Sequence, residues 1–197
     1  SFAVVRPLDQ IRVLIAQTGL NVKITPGYAG LFTGQTGMSH IIVDDMSIMR
    51  AMPGMVTVSP ADDVEAREVL RWAAAYEGPC YVRLVRDATQ RLFDDTYRFA
   101  FGRAVTVREG RDVTLISTGS QTPRVVDAAD LLAAEGIDSH VVHVPTIKPL
   151  DVAAIVAAAE RTGRVITVEE HSVIGGLGGA VAETLAEHRP TRVNRIG

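Results

Sequence analysis

Residues 27–50 read GYAGLFTGQTGMSHIIVDDMSIMR. Gly27, Gly30, Gly34 and Gly37 fall within eleven residues, and a backbone so rich in glycine must turn sharply or let something approach it closely. His40 follows the glycines. Next comes a helix-like segment, 41–52, with the paired acids Asp44 and Asp45 and with Ile42, Met46 and Met49 on one face. A lone histidine at such a place serves chemistry, caps a helix, or is buried with its hydrogen bonds satisfied. Asn21 to Thr25, just before the loop, reads as a short strand. The loop therefore leaves the C-terminal end of a strand, the edge where ligands bind in open α/β sheets.

The rest of the first half follows the same alternation. Residues 1–5, SFAVV, read as the end of a buried strand. Arg6-Pro7 opens a helix with Leu8, Ile11, Leu14 and Ile15 at helical spacing, and Gly19 closes it. Pro53-Gly54 stops the helix after the loop, and 55–58 is the next strand. Asp62 and Glu65 have capping-box spacing before a helix whose apolar stripe is Val64, Leu70, Ala73 and Ala74. Gly78-Pro79 breaks that helix, and Cys80 to Val85 forms another buried strand ending at Arg86-Asp87. Strands and helices in this order predict a parallel sheet.

The second half repeats the class but not the sequence. Residues 87–98 are polar and aperiodic, Phe99 to Glu109 looks hairpin-like, and 112–118 is a buried strand. A helix follows with Val125, Val126, Ala129, Leu132 and Ala133 on one face, capped by Gly136. Strands at 139–144, 164–168 and 192–196 alternate with helices at 150–162 and after the run Gly175-Gly-Leu-Gly-Gly179. The prediction is an α/β protein of two consecutive domains, each a mainly parallel sheet flanked by helices. Their bounds are 1–89 and 104–197, with a linker at 90–103. A start in mid-strand and a stop right after RVNRIG lead us to expect a piece of a longer protein, incomplete at both ends.

Composition narrows the function. The chain has 197 residues, 47% hydrophobic and 22% charged, with net charge −3. There is no basic stripe to suggest nucleic acid, and no apolar run of about 18 residues to suggest a membrane span. The single cysteine, Cys80, excludes an internal disulfide and fits a reducing, cytoplasmic setting, with a buried structural thiol as its reading. There is no metal-ligand spacing, no nucleophile elbow and no P-loop. Tyr28, Thr36 and His40 on the loop, and Arg86 after its strand, are the candidates. Arg86 either grips a phosphate or carboxylate or pairs at the surface with Asp87. GGLGG reads as close packing of a helix start in preference to a phosphate site. Glu169-Glu170-His171 is a catalytic trio or a set of hydrogen-bonding groups for the following loop.

DQIR at 9–12, NVKI at 21–24, LFTGQTGMSH at 31–40, MRAMPGM at 49–55, SPAD at 59–62 and GPCYVRLVR at 78–86 resemble the pyrimidine-binding domain of transketolases. TIKPLD at 146–151 and VEEHSVIGGLGGAVAE at 168–183 resemble their C-terminal domain. The wording is nearest to the short C-terminal subunits of split, two-chain transketolases.

The resemblance implies a thiamine-diphosphate enzyme that moves a two-carbon ketol unit from a ketose-type donor to an aldehyde-type acceptor. It implies that diphosphate and Mg²⁺ are held by a partner, N-terminal subunit, in a dimer or α₂β₂ assembly. By position, Phe2 matches the aromatic on the cofactor's pyrimidine and Arg6 stands with it on the cofactor side. His40 matches a catalytic histidine of the substrate channel, Arg86 the arginine that binds sugar phosphate, and no residue a metal ligand. The C-terminal domain is expected to support assembly and to carry no chemistry. The activating glutamate falls upstream of Ser1. Where sugar-phosphate transketolases have a histidine and an aspartate, this chain has the substrate-side residues Tyr28 and Thr36, so a related ketol or acyl donor fits as well. Two alternatives stay open. One is the β-subunit of a 2-oxo acid dehydrogenase or a deoxyxylulose-phosphate synthase; the other is a non-catalytic scaffold with the same fold.

Overall fold

The computed structural model describes residues 2–32 and 34–197; Ser1 and Thr33, which fall within the predicted first strand and the loop motif, lie outside the described residues. A short helix α1, Leu8–Gln10, continues as a wider π-helical stretch, Ile11–Ala16. Then come β1 (Lys23–Ile24), α2 (Asp45–Ala51), β2 (Val56–Val58), α3 (Asp63–Ala75) and β3 (Cys80–Val82). The second half contains β4 (Val105–Arg108), β5 (Val113–Ser117), α4 (Gln121–Ala134), β6 (Ser139–His143) and β7 (Thr146–Lys148). It ends with α5 (Val152–Thr162), β8 (Val165–Val168), α6 (Leu177–His188) and β9 (Val193–Ile196).

These elements form two sheets. The first has the order β1-β3-β2-β7 and the second β4-β6-β5-β8-β9. Each is parallel except for one antiparallel edge strand, β7 or β4. Side chains of a strand point alternately to its two faces. In β3, Cys80 and Val82 therefore pack with α3 (Val69, Ala73), while Tyr81 packs on the other side with Val4, Ile11 and Met49. In the second sheet, Leu115 and Val141 meet α4, and Ile116 and Val142 meet α5 and α6 through Ile155, Leu177, Val181 and Leu185.

The helix ends follow the expected chemistry. Asp62 accepts from the amide of Glu65 at 2.8 Å, and Asp151 caps α5 through the amide of Ala154. Gly163 ends α5 with φ +66, in the left-handed region that glycine enters without steric cost.

Several expectations are corrected. Residues 2–7 form turns and not a strand, although Val4 is 1% exposed. Leu14 faces solvent because the π-helical stretch rotates the face, and Ile11 and Ala16 carry the burial instead. In α3, Val69 replaces Leu70 and Ala74 in the buried stripe. Residues 37–44 are irregular, with a turn at 38–40 and a bend at 43–44, so α2 starts at Asp45 and not at 41. No hairpin forms at 99–109: β4 pairs with the distant β6.

The second domain also contributes a strand to the first sheet. Its β7 hydrogen-bonds to β2, matching Thr57 to Lys148 and Val58 to Thr146. Met46 of α2 sits in the core of the second domain and Met49 in that of the first. Among the described residues no helix is long and apolar enough to cross a membrane.

Ile147 of β7 is 2% exposed and belongs to the core that Met46 enters. Ile147→Ala is expected to cost about 2–5 kcal/mol, as large-to-small core changes do. Urea unfolding monitored separately in each domain is expected to show one shared transition, shifted to lower urea in the variant.

Candidate active site

The glycine loop is closed at its neck. Gly30 donates to the carbonyl of Ile42 at 2.8 Å, and the Ala29 amide donates to Leu84 at 3.1 Å, extending the pairing of β1 with β3. At the tip, Gly34–Thr36 makes a 3-10 turn that holds Thr36 half-buried. The amide of His40 donates to Gly37 at 3.1 Å.

The candidate residues gather in two groups along this edge. Phe2 and His40 meet edge to face with ring centroids 5.0 Å apart, and the Arg6 guanidinium lies 4.1 Å over the Phe2 ring. Ser39 Oγ is 2.8 Å from His40 Nδ1. In the second group, the exposed Arg86 lays its guanidinium 5.2 Å over the Tyr28 ring. A guanidinium on an aromatic face keeps its N–H edge available to an anion. Arg6 also lines a cavity of about 560 Å³ between the N-terminal segment and α2.

Sequence reasoning passed over the buried ionic groups behind the loop. Asp45 is 0% exposed; its Oδ2 accepts from Tyr81 Oη at 2.6 Å and from Arg83 Nε at 2.9 Å. Burial and the adjacent carboxylate push the Tyr81 phenol well above its ordinary range. A second chain of polar contacts links the domains: Ser117 Oγ donates to Thr122 Oγ1 at 2.9 Å, and Thr122 Oγ1 is 2.7 Å from His143 Nδ1. His143 Nε2 in turn lies 2.7 Å from Glu65 Oε2. Tyr97 Oη donates to the other Glu65 oxygen at 2.5 Å, and the amide of Ala61 donates to Oε2 at 2.7 Å. The signal that could have found both was an ionisable residue in the buried phase of a strand or helix, Arg83 within YVRLV and Glu65 within the α3 stripe.

Glu169-Glu170-His171 is a row of hydrogen-bonding groups. Glu169 accepts from the amides of Leu177 and Gly178 at 2.7 and 2.8 Å, so the N-terminus of α6 is capped by the protein's own carboxylate. Burial pushes that carboxyl up, against the two amides that pull it down. A Cβ on Gly176 would lie 2.0 Å from Glu169 Oε2, which is the close packing read from GGLGG. Cys80 is buried and burial pushes its thiol up to about 12, an inert structural thiol. Among the described residues no cluster of three or more acidic, histidine or cysteine side chains could hold a metal ion.

Residues 1–91 match the family described as "Transketolase, pyrimidine binding domain", and residues 102–197 match "Transketolase, C-terminal domain". The chain is 40% identical over 197 residues to a 6-deoxy-6-sulfo-D-fructose transketolase subunit of Clostridium sp., covering 100% of this chain and 61% of that protein. It is also 40% identical over 197 residues to an apulose-4-phosphate transketolase subunit of Phocaeicola vulgatus, covering 100% of this chain and 63% of the relative. A solved structure titled "Split gene transketolase, inactive beta4 tetramer" superposes with a TM-score of 0.94 at 42% identity, covering 100% of this chain and 63% of the other. The chain thus spans about three fifths of the length of these relatives.

Burial by itself raises the Glu65 carboxyl. The charge and hydrogen bond of His143, with Tyr97 and the Ala61 amide, outweigh it and leave the pKa below its ordinary value of 4.5. A carboxyl lowered on folding adds stability above its unfolded pKa and loses it as pH falls through the folded one. Glu65→Ala is expected to cost about 3–5 kcal/mol at neutral pH, because it strands a buried partner. Denaturation series from pH 7 to pH 3 are expected to show the gap between parent and variant shrinking below pH 4.5.

Proposed function

The chain belongs to the transketolase family, and we propose that it is the pyrimidine-side portion of a thiamine-diphosphate-dependent transketolase acting with a partner chain. One observation carries the reading. The two transketolase domains account for residues 1–91 and 102–197 in order, and the two relatives described above, each matched over the whole chain, are named as transketolase subunits. Synthases of 1-deoxy-D-xylulose-5-phosphate reach 41% identity, but this chain covers only 31% of such a protein. The subunit reading therefore stands ahead of the synthase reading.

The residues fit one half of the cofactor. Phe2, 42% exposed, offers a ring for the aminopyrimidine, with Arg6 over its face and the His40 ring steeply inclined to it. By the family resemblance we place Mg²⁺ and the diphosphate on the partner, in a dimer or α₂β₂ assembly; among the described residues no group of three or more acidic, histidine or cysteine side chains could hold a metal ion. When bound, thiamine diphosphate supplies the nucleophilic carbon and the electron sink for breaking and making the C–C bond.

This chain's residues position the sugar. With Nδ1 at Ser39, His40 presents Nε2 to a donor hydroxyl and stabilises charge that develops there. Arg86, splayed on Tyr28, binds the anionic end of the donor. The names of the relatives, a sulfo-sugar and a sugar phosphate, support a ketose that ends in a sulfonate or phosphate. Tyr28 and Thr36 offer neutral hydrogen bonds beside it. Exposed apolar side chains on the same edge, Leu31 at 58% and Met38 at 89%, support a surface that a partner covers. We place the protein in the cytoplasm, in keeping with its one buried, unbridged cysteine.

Calorimetric titration of thiamine diphosphate with Mg²⁺ is expected to show binding to the complex of this chain with a diphosphate-side subunit, and none to this chain alone. Absence of binding in the complex would move the scaffold reading to the front.

In the active complex, His40→Ala is expected to lower kcat by roughly ten- to a thousandfold. Arg86→Ala is expected to raise KM for an anionic donor and to leave a neutral ketose alone. Equal effects of Arg86→Ala on the two donors would make the arginine structural.

A further inference from the structure

The loop bearing Tyr28, Thr36 and His40 belongs to the first domain, yet three consecutive residues of the second domain hold both of its ends. The Glu170 carboxylate accepts from the amide of Leu31 at 2.5 Å and from Ser120 Oγ at 2.9 Å. The amide of Ser172 donates to the carbonyl of Val43 at 2.7 Å. His171 Nε2 accepts from the amide of Met46 at 3.1 Å, and its Nδ1 lies 2.7 Å from the carbonyl oxygen of Ser172. That fixes the tautomer: Nδ1–H donates and Nε2 accepts.

The space for this grip is built into the sequence. Gly30 has φ +75, and a Cβ there would lie 2.3 Å from the Glu170 carboxyl carbon. Glycine is needed twice over at that position, for its backbone conformation and for the carboxylate that packs against it. Arg83 braces the other side of the same residue, donating from Nη2 to the Glu170 carbonyl at 2.8 Å while Nε holds Asp45.

We propose that Glu170 is a positioning residue for the substrate loop, so that the C-terminal domain sets the geometry of a site it does not line. The consequence for catalysis rests on the transketolase reading above; the grip itself rests on the contacts alone. A carboxylate that accepts from a loop amide and from Ser120 at the start of α4 ties the placement of the loop to the placement of the second domain. Misplacement of a substrate-holding loop by about 1 Å is enough to cost on the order of a hundredfold in rate.

The test combines hydrogen exchange of this chain alone with kinetics of the complex. In Glu170→Ala, amides from 31 to 43 are expected to exchange at least about tenfold faster while α4 and α6 keep their protection. KM for the donor is expected to rise about tenfold with a smaller change in kcat. Glu170→Gln is expected to remain within about twofold of the parent, because its amide can still accept from Leu31 and can donate to Ser120. Gly30→Ala is expected to mimic Glu170→Ala, and the double variant to show less than the sum of the two.

If Glu170→Ala melts far below the parent, Ser120→Ala, which leaves Glu170 in place, supplies the comparison, with a rise in KM of about threefold. Unchanged exchange, or faster exchange with unchanged KM in an active complex, would overturn the positioning role. A complex with no ketol transfer at all would sink the transketolase reading, and the exchange result would still decide the grip.

Discussion

Arg83 is a guanidinium with 2% of its side chain exposed, at the end of a strand in the middle of a sheet. Burying such a charge without an anion is prohibitively costly, and even a paired one must recover its lost hydration through geometry. Asp45 supplies the anion at 2.9 Å, and the Glu170 carbonyl accepts from the other arm of the fork. The three groups come from the start of α2, the end of β3 and the second domain. Their common demand fixes the position of each against the others. Asp45 Oδ1 has no hydrogen-bond partner among the described residues and sits 3.9 Å from His171 Nε2. The pair is therefore held by one oxygen more than by the other. Two well-packed apolar residues could match the stability of such a pair, but not its directional hold on three segments.

Much of the domain junction is built on the same principle. Glu65 and His143, both fully buried, connect α3 to β6, and the antiparallel edge pairing of β7 with β2 adds backbone hydrogen bonds across the boundary. Apolar packing reinforces the polar links, since α2 sends Met46 into one core and Met49 into the other. Cores pack at near-crystalline density and resist sliding. The two domains are thus joined by buried charge, a shared sheet edge and a shared helix. The C-terminal edge of the first sheet then inherits its geometry from both.

How much of this could be read in advance follows from periodicity. Long alternations of period, such as 113–144, put β5, α4 and β6 in place, and Asp62 and the glycine at 136 marked helix ends by local chemistry alone. Partners distant in sequence stayed hidden. β4 looked like half of a hairpin because its true mate, β6, lies about thirty residues on, and β7 carries no local mark of joining the first sheet. The π-helical stretch moved Leu14 out and Ala16 in, which a fixed 3.6 period cannot anticipate. At the candidate site, composition pointed to the loop and to Arg86. It could not show that Phe2, Arg6 and His40 would gather, or that Glu170 would reach Leu31 across 139 residues.

The two sides of that loop differ in a way that bears on what it does. Its inner side is fixed by Glu170, Ser172 and His171 and by the neck between Gly30 and Ile42. Leu31 and Met38 of the same loop stand in solvent, and Phe2 and Tyr28 are half-exposed. A methionine 89% exposed contributes almost nothing to the stability of its own chain. A loop held from beneath by these contacts has less conformational freedom to lose on association than an unheld one, which lowers the entropic cost of binding. Under the proposed function, the Arg86 guanidinium on the Tyr28 ring is the group of this edge suited to the donor's anionic end.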